Sequence, residues 1–175
     1  MMQNLPAFLR DLPQDKALPV ETWNPPFCGH IDIRIARDGT WFHNGTPITR
    51  PAMVRLFSRV LRRDSDGYVL VTPVEKLGIT VEDVPFIAVE MAQIDGALTF
   101  RTNVDDAVTA GPDHPLRFTN NDDGFVPYIE VRRGLEARLT RALAQDLAAL
   151  AEVRDGVFGI TSNGQFFPIA TSDAI

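Results

Sequence analysis

Cysteine is almost missing from this chain. Cys28 is the single one among 175 residues, so no internal disulfide can form and nothing points to an oxidising compartment. Lysine is nearly as scarce: the 17 basic residues are 15 arginines and 2 lysines. No apolar run approaches the length of a membrane span. Residues 1–10 have neither a basic start nor a long apolar stretch, so no signal peptide is read and a cytoplasmic protein is expected. The G-x-G-x-x-G, P-loop, G-x-S-x-G, H-E-x-x-H and C-x-x-C patterns are all absent. The three histidines, His30, His43 and His114, lack ligand spacing, so neither a metal nor another cofactor is expected. The net charge of −6 argues against general nucleic-acid binding, which needs a basic surface to neutralise phosphates.

What is present is the material of a folded protein. Hydrophobic residues make up 45% of the chain, enough for a packed core in one domain or two small lobes. Residues 1–27 hold five of the 13 prolines and read as an extended arm, with one short helical turn over 5–12 and with Trp23 and Phe27 docked on the body. From Ile31 the pattern becomes regular. Ile31, Ile33 and Ile35 alternate with Asp32, Arg34 and Ala36, a half-buried strand, and Asp38-Gly39 turns it back into residues 40–43.

Thr49 caps a helix with Pro51 in its first turn. Met53, Leu56, Phe57, Val60 and Leu61 form its apolar stripe, and it ends near Arg63. Strands are read over 68–72, 86–94, 98–103, 107–110, 116–119, 128–132, 157–161 and 165–169, with 74–79 a short strand or loop. A second helix is read over 134–151, with Leu135, Leu139, Leu143, Leu147 and Leu150 on one side.

The halves echo one another. Met53-x-x-x-Phe57-Ser58-Arg59-Val60-Leu61 aligns on Leu135-x-x-x-Leu139-Thr140-Arg141-Ala142-Leu143, and an Asp-Gly turn follows each segment. The expected fold is therefore α+β, two similar β–helix–β units made by duplication: an arm over 1–27 and units over 28–84 and 85–175. A cleft between such units would be the natural pocket.

Candidate site residues lie at strand ends, where rigid elements aim side chains. Arg34, Arg50, Arg101, Arg117 and Arg132 would hold negative charge. Trp41 or Tyr128 would stack on a ring, and Thr72, Asn103 and His114 would supply hydrogen bonds. Glu75 is a general-base candidate, but no nucleophile or metal is paired with it, so binding ranks above catalysis. Arg55, Arg59 and Arg62 share one face of the first helix by spacing, read first as a solvated face and second as an anion site. The alternative function is a protein-interaction adaptor that uses a peptide groove or sheet edge.

Several long motifs occur in one order. They include Asp32-Ile33-Arg34-Ile35, Arg37-Asp38-Gly39-Thr40-Trp41-Phe42, Gly45-Thr46-Pro47-Ile48, Leu70-Val71-Thr72-Pro73-Val74-Glu75-Lys76, Arg101-Thr102-Asn103-Val104 and Gly111-Pro112-Asp113-His114-Pro115-Leu116-Arg117. Through these, with Val84-Pro85-Phe86, Pro127-Tyr128, Val131-Arg132 and Gly134-Leu135-Glu136-Ala137, the chain resembles a bacterial family known as domain of unknown function 1285, over about residues 20–143. The resemblance implies a duplicated α/β core with a pleckstrin-homology-like C-terminal half. It also implies a nucleotide-like ligand where the halves meet, and a role in signal transduction.

Overall fold

A computed structural model describes residues 18–171, which divide into two compact units after Pro85. The helical turn expected over 5–12 lies outside the described residues. The architecture corrects the α+β expectation. Among the described residues strand makes up 55% and helix 13%, with two α-helices, so this part of the chain is mostly β rather than a pair of helix-centred units.

In the first unit a 3-10 turn at Val20–Thr22 leads into β1 (Phe27–Ile35), β2 (Trp41–His43) and β3 (Thr46–Pro47). Helix α1 (Pro51–Arg59) follows, then β4 (Leu61–Asp64), β5 (Gly67–Val71) and β6 (Lys76–Val81). The sheet order is β3-β2-β1-β6-β5-β4. Two antiparallel meanders are thus joined through one parallel pair, β1 beside β6, with Arg34 opposite Thr80 and Ile35 opposite Val81. Trp41, Phe57, Leu61, Leu70, Ile33 and Ile35 are almost wholly buried and form its core.

The second unit contains β7 (Phe86–Ile94), β8 (Ala97–Thr102), β9 (Ala107–Thr109), β10 (Leu116–Asn121), β11 (Gly124–Arg132) and β12 (Leu135–Leu139). Helix α2 (Arg141–Ala148) and a small sheet of β13 (Glu152–Arg154), β14 (Val157–Ser162) and β15 (Gln165–Thr171) follow. The order of the large sheet is β10-β11-β12-β7-β8-β9, and β12 runs parallel to β7. This is the path of the first unit again: first meander, second meander, and a parallel joint between the first strand of one and the last strand of the other. Duplication therefore holds, but it resides in the sheets. Helix α1 lies between the two meanders of its unit, whereas α2 follows the last strand of its sheet. In the second unit three further strands come after α2.

The edge strands β9 and β10 are separated by only a few residues, although five inter-strand steps lie between them. Those steps would span about 24 Å in a flat sheet. The seven residue steps from Thr109 to Leu116 reach about 24 Å only when fully extended. They are not extended, because Gly111 and His114 exchange backbone hydrogen bonds of 3.1 and 3.2 Å. The sheet must curl. Ser162 of β14 secures this region: its buried hydroxyl accepts from Leu98 N at 2.8 Å and donates to Ala110 O at 2.7 Å.

Both helix boundaries differ from the sequence reading. Residues 135–139, read as helix, are strand β12, in which Leu135, Ala137 and Leu139 are buried and alternate with Glu136 and Arg138. A leucine every fourth residue satisfies a period of 2 as well as one of 3.6. Thr140 marks the true start, its Oγ1 accepting from Leu143 N at 3.3 Å. In the first unit the helix ends at Arg59. Leu61 pairs with Leu70 in a strand, and Arg50, not Thr49, occupies the cap position with no side-chain bond. Phe27 is also not docked as expected, being 53% exposed. No helix among the described residues is long and apolar enough to cross a membrane.

One charged cluster ties the start of the described chain to an edge strand. Arg62 donates to both carboxylate oxygens of Asp64 (2.7 and 3.1 Å) and to the carbonyls of Val20 and Trp23 (2.8 and 2.7 Å). Lys76 Nζ lies 2.9 Å from the same carboxylate. The Arg62 hydrogen bond, aided by Lys76 and opposed by burial, holds the Asp64 carboxyl below its ordinary 3.8. A depressed carboxyl contributes stability that is present above the unfolded-state value and is lost as pH falls through the folded one. Asp64→Asn should therefore lower stability at neutral pH by about 1–3 kcal/mol, the cost of unpairing part-buried charged groups. It should also flatten the acid limb of stability against pH below about 4, read by urea unfolding across pH. Ser162→Ala leaves Leu98 N and Ala110 O without their partner and should cost about 1–3 kcal/mol in the same assay.

Candidate functional site

The residues singled out in the sequence fall on both units. Arg34, Trp41, Arg50, Thr72 and Glu75 belong to the first, and Arg101, Asn103, His114, Arg117, Tyr128 and Arg132 to the second. Most of the arginines have carboxylate partners. Arg34 Nη1 donates to Glu82 at 2.6 Å and its guanidinium stands 4.2 Å from the centre of the Phe42 ring. Arg101 donates to Glu90 at 2.6 Å and to Asp105 at 3.0 Å. Arg117 makes a two-pronged contact with Glu136, both distances 3.0 Å, and lies 4.1 Å over Tyr128. Arg132 donates to Asp106 at 2.8 Å and lies 5.2 Å over Phe86. A guanidinium held between a carboxylate and an aromatic face already has its charge and its planar surface matched. An anion would have to displace the resident acid.

The Glu90–Arg101 pair shows this matching electrostatically. The Arg101 hydrogen bond pulls the Glu90 carboxyl below its ordinary range, and Glu90 in turn raises Arg101. Both groups are solvated, so the pair adds little to stability.

The expected stacking platforms are occupied. Trp41 is 1% exposed and its ring faces Phe57 at 6.2 Å. Tyr128 is buried beneath Arg117. The expected hydrogen-bonding groups close loops. Thr72 Oγ1 accepts from Val74 N and Glu75 N at 3.3 and 3.1 Å, shaping the turn between β5 and β6. Asn103 Oδ1 accepts from Ile87 N at 3.0 Å while Asn103 N donates to Ile87 O at 2.8 Å, so this residue imitates a strand pairing. His114 Nδ1 lies 3.0 Å from Glu130 O. Glu75 is half-buried, and Arg50 is exposed beside the start of α1.

Two groupings do form. Arg117 touches Tyr128 directly. Arg101 and Arg132 converge on the loop between β8 and β9 through Asp105 and Asp106, and Asn103 of that loop bonds the Ile87 backbone on β7. The arginine face expected on the first helix is split instead. Arg55 and Arg59 stay on α1, but Arg62 lies on β4 and is consumed by Asp64 and two carbonyls.

Arg59 is the residue that the sequence left undistinguished. Its Nη1 is sealed from solvent and has no acceptor among the described residues, and the indole N–H of Trp41 shares that condition. Helical spacing placed Arg59 on a basic face. Nothing local signals that one of its nitrogens would be enclosed.

Residues 18–84 match a family domain described as "Domain of unknown function (DUF1285), N-terminal domain". Residues 85–169 match "Protein of unknown function (DUF1285), C-terminal domain". A crystal structure of a DUF1285 family protein from Silicibacter pomeroyi DSS-3 is 49% identical, with a TM-score of 0.89 over 96% of this chain and 95% of that one. A second crystal structure, of a DUF1285 family protein from Shewanella baltica OS155, is 28% identical, with a TM-score of 0.53 over 65% of this chain and 87% of that one. No curated protein matches the chain.

Because Arg117 is 48% exposed and acts as a clamp on the sheet surface, Arg117→Ala should cost less than about 1 kcal/mol by urea unfolding. A larger loss would mean that the Glu136–Arg117–Tyr128 stack carries more of the sheet than an exposed ion pair can.

Proposed function

The chain belongs to the DUF1285 family, and we propose that it binds a small anionic ligand through Arg59 of its first unit. One observation carries this reading: a permanently charged guanidinium has an enclosed nitrogen with no acceptor among the described residues. A buried donor left unsatisfied costs about 1–3 kcal/mol, and more when charged. A phosphate or carboxylate oxygen placed there would remove that cost and match the planar fork of arginine. Arg34, Arg101, Arg117 and Arg132 are set aside as primary ligand groups, because each already holds an acid. A nucleotide-like ligand and a part in signal transduction are the specific forms of this reading that the family resemblance suggested.

Thermal-shift titration with inorganic phosphate, citrate and nucleoside phosphates, at fixed ionic strength, tests it. At a hundredfold excess over Kd a ligand specific to the native state adds about 2.7 kcal/mol, a readily measured rise in Tm. Arg59→Met should abolish the rise while leaving the unliganded protein at least as stable, because an unpaired buried donor has been removed. No rise with any of these anions, or an equal rise in the variant, would sink the reading.

A second reading, a protein-interaction adaptor, is favoured by two exposed apolar side chains. Phe27 is 53% exposed and Val74 is 72% exposed. They lie at the same end of the parallel pair, since Phe27 stands opposite Lys76. Replacing both by serine would leave an anion-induced shift intact, which separates the two readings.

A further inference from the structure

The sequence contains two Asn-Gly dipeptides, Asn44-Gly45 and Asn163-Gly164. Each forms the two-residue loop of a hairpin, with φ of +51° and +78° at the first pair and +51° and +79° at the second. These are turns with both central residues left-handed, which Asn-Gly favours. Asn-Gly is also the dipeptide in which an asparagine amide is most open to attack by the following backbone nitrogen, because glycine carries no side chain to obstruct the approach. Backbone conformation does not distinguish the two sites. Their surroundings do.

Asn163 is firmly held. Its hairpin, β14–β15, is a long ladder running from Val157–Thr171 to Ser162–Gln165. Ser162, next in the chain, is buried and bonded to Leu98 N and Ala110 O. Asn163 N donates to Gly96 O at 3.1 Å. Its side chain lies over Gly111, where an added Cβ would come within 3.2 Å of Nδ2. Asn44 has far less support. Its hairpin, β2–β3, has the pairs Phe42–Pro47 and His43–Thr46 and one further backbone bond, from Ile48 N to Trp41 O at 2.8 Å, and β3 forms one edge of its sheet. Pro47 has no N–H to give the ladder. Both Asn-Gly pairs are exposed and the Cβ position of each glycine is open within 4 Å, so the difference lies in the ladders and in the contact of the Asn163 side chain with Gly111. Asn44 N does donate to Asp32 O at 3.0 Å, but that anchors only the entry to the turn. Short ladders open locally far more often than long ones.

We propose that Asn44 is a site of spontaneous deamidation in the folded protein, and that the fold protects Asn163. During a local opening of β2–β3 the Gly45 nitrogen attacks Asn44 Cγ. An N–C bond forms, the Cγ–Nδ2 bond breaks, and the amide leaves as ammonia. Water then opens the resulting succinimide at either carbonyl. The product is aspartate, or isoaspartate with an extra carbon in the main chain. Either form places a new negative charge at the edge of the first sheet, and the isoaspartyl form no longer fits a two-residue turn.

The test is ageing of the intact protein at mildly alkaline pH and body temperature. Peptide mapping follows the amide-to-acid mass change at both sites, and an isoaspartyl methyltransferase assay counts the isomer. Conversion at Asn44 should be on the order of ten times faster than at Asn163 in the folded protein. The two rates should converge in concentrated urea, where both turns are open chain. No conversion at Asn44, equal rates in the folded state, or a difference that persists in urea would each overturn the proposal.

Discussion

Each large sheet depends on a single parallel ladder. In the first unit β1 and β6 are the only contact between two three-stranded meanders within the sheet, and in the second β7 and β12 play the same part. Antiparallel neighbours in a meander form from adjacent sequence and close short loops. A parallel pair must bring together strands separated by the rest of the sheet, at a larger cost in chain entropy. That cost is offset by burial. Ile33 and Ile35 on β1, Phe86 and Ala88 on β7, and Ala137 and Leu139 on β12 are all nearly inaccessible. The apolar residues of the central strands do more than fill space. They make six strands one sheet.

The same constraint explains the duplication. A sheet whose first and last strands meet in the middle has its chain crossing from one edge to the other halfway through. The two units solve that crossing differently. The first uses α1, packed so that Leu56 and Phe57 are buried. The second uses the turned segment around Gly111 and His114, and the curl it demands is secured by Ser162 from the third sheet. The helices are accessories to a repeated sheet, which is why an echo sought in the helices aligned a helix with a strand.

Arginine in this protein is mainly a surface fastener. On a sheet, neighbouring strands place side chains of one face close together, so an arginine finds a ring on the adjacent strand and an acid beyond it or on its other side. Arg117 on β10, Tyr128 on β11 and Glu136 on β12 form such a row, and Arg34 with Phe42 and Glu82 forms another. The many arginines coexist with a net negative charge because the acids stand beside them. Arg59 differs because its Nη1 is enclosed and has no hydrogen-bond partner among the described residues.

Alternation over β1 and β8, the Asp-Gly and Asn-Gly turns, and the family motifs were fixed by local chemistry. These depend on two-residue periodicity and on backbone conformations that few residues tolerate, so the sequence alone determined them. Other features were decided by the tertiary structure. Residues 135–139 are compatible with helix and strand alike, and only pairing beside β7 and burial of Leu135 and Leu139 select the strand. Arg62 and Arg59 are indistinguishable by type and spacing. One joins a strand and meets Asp64, while the other has an enclosed nitrogen with no partner among the described residues. The identity of a charged group's neighbour is a property of strand order, and strand order is set by long-range burial that no short stretch of sequence records.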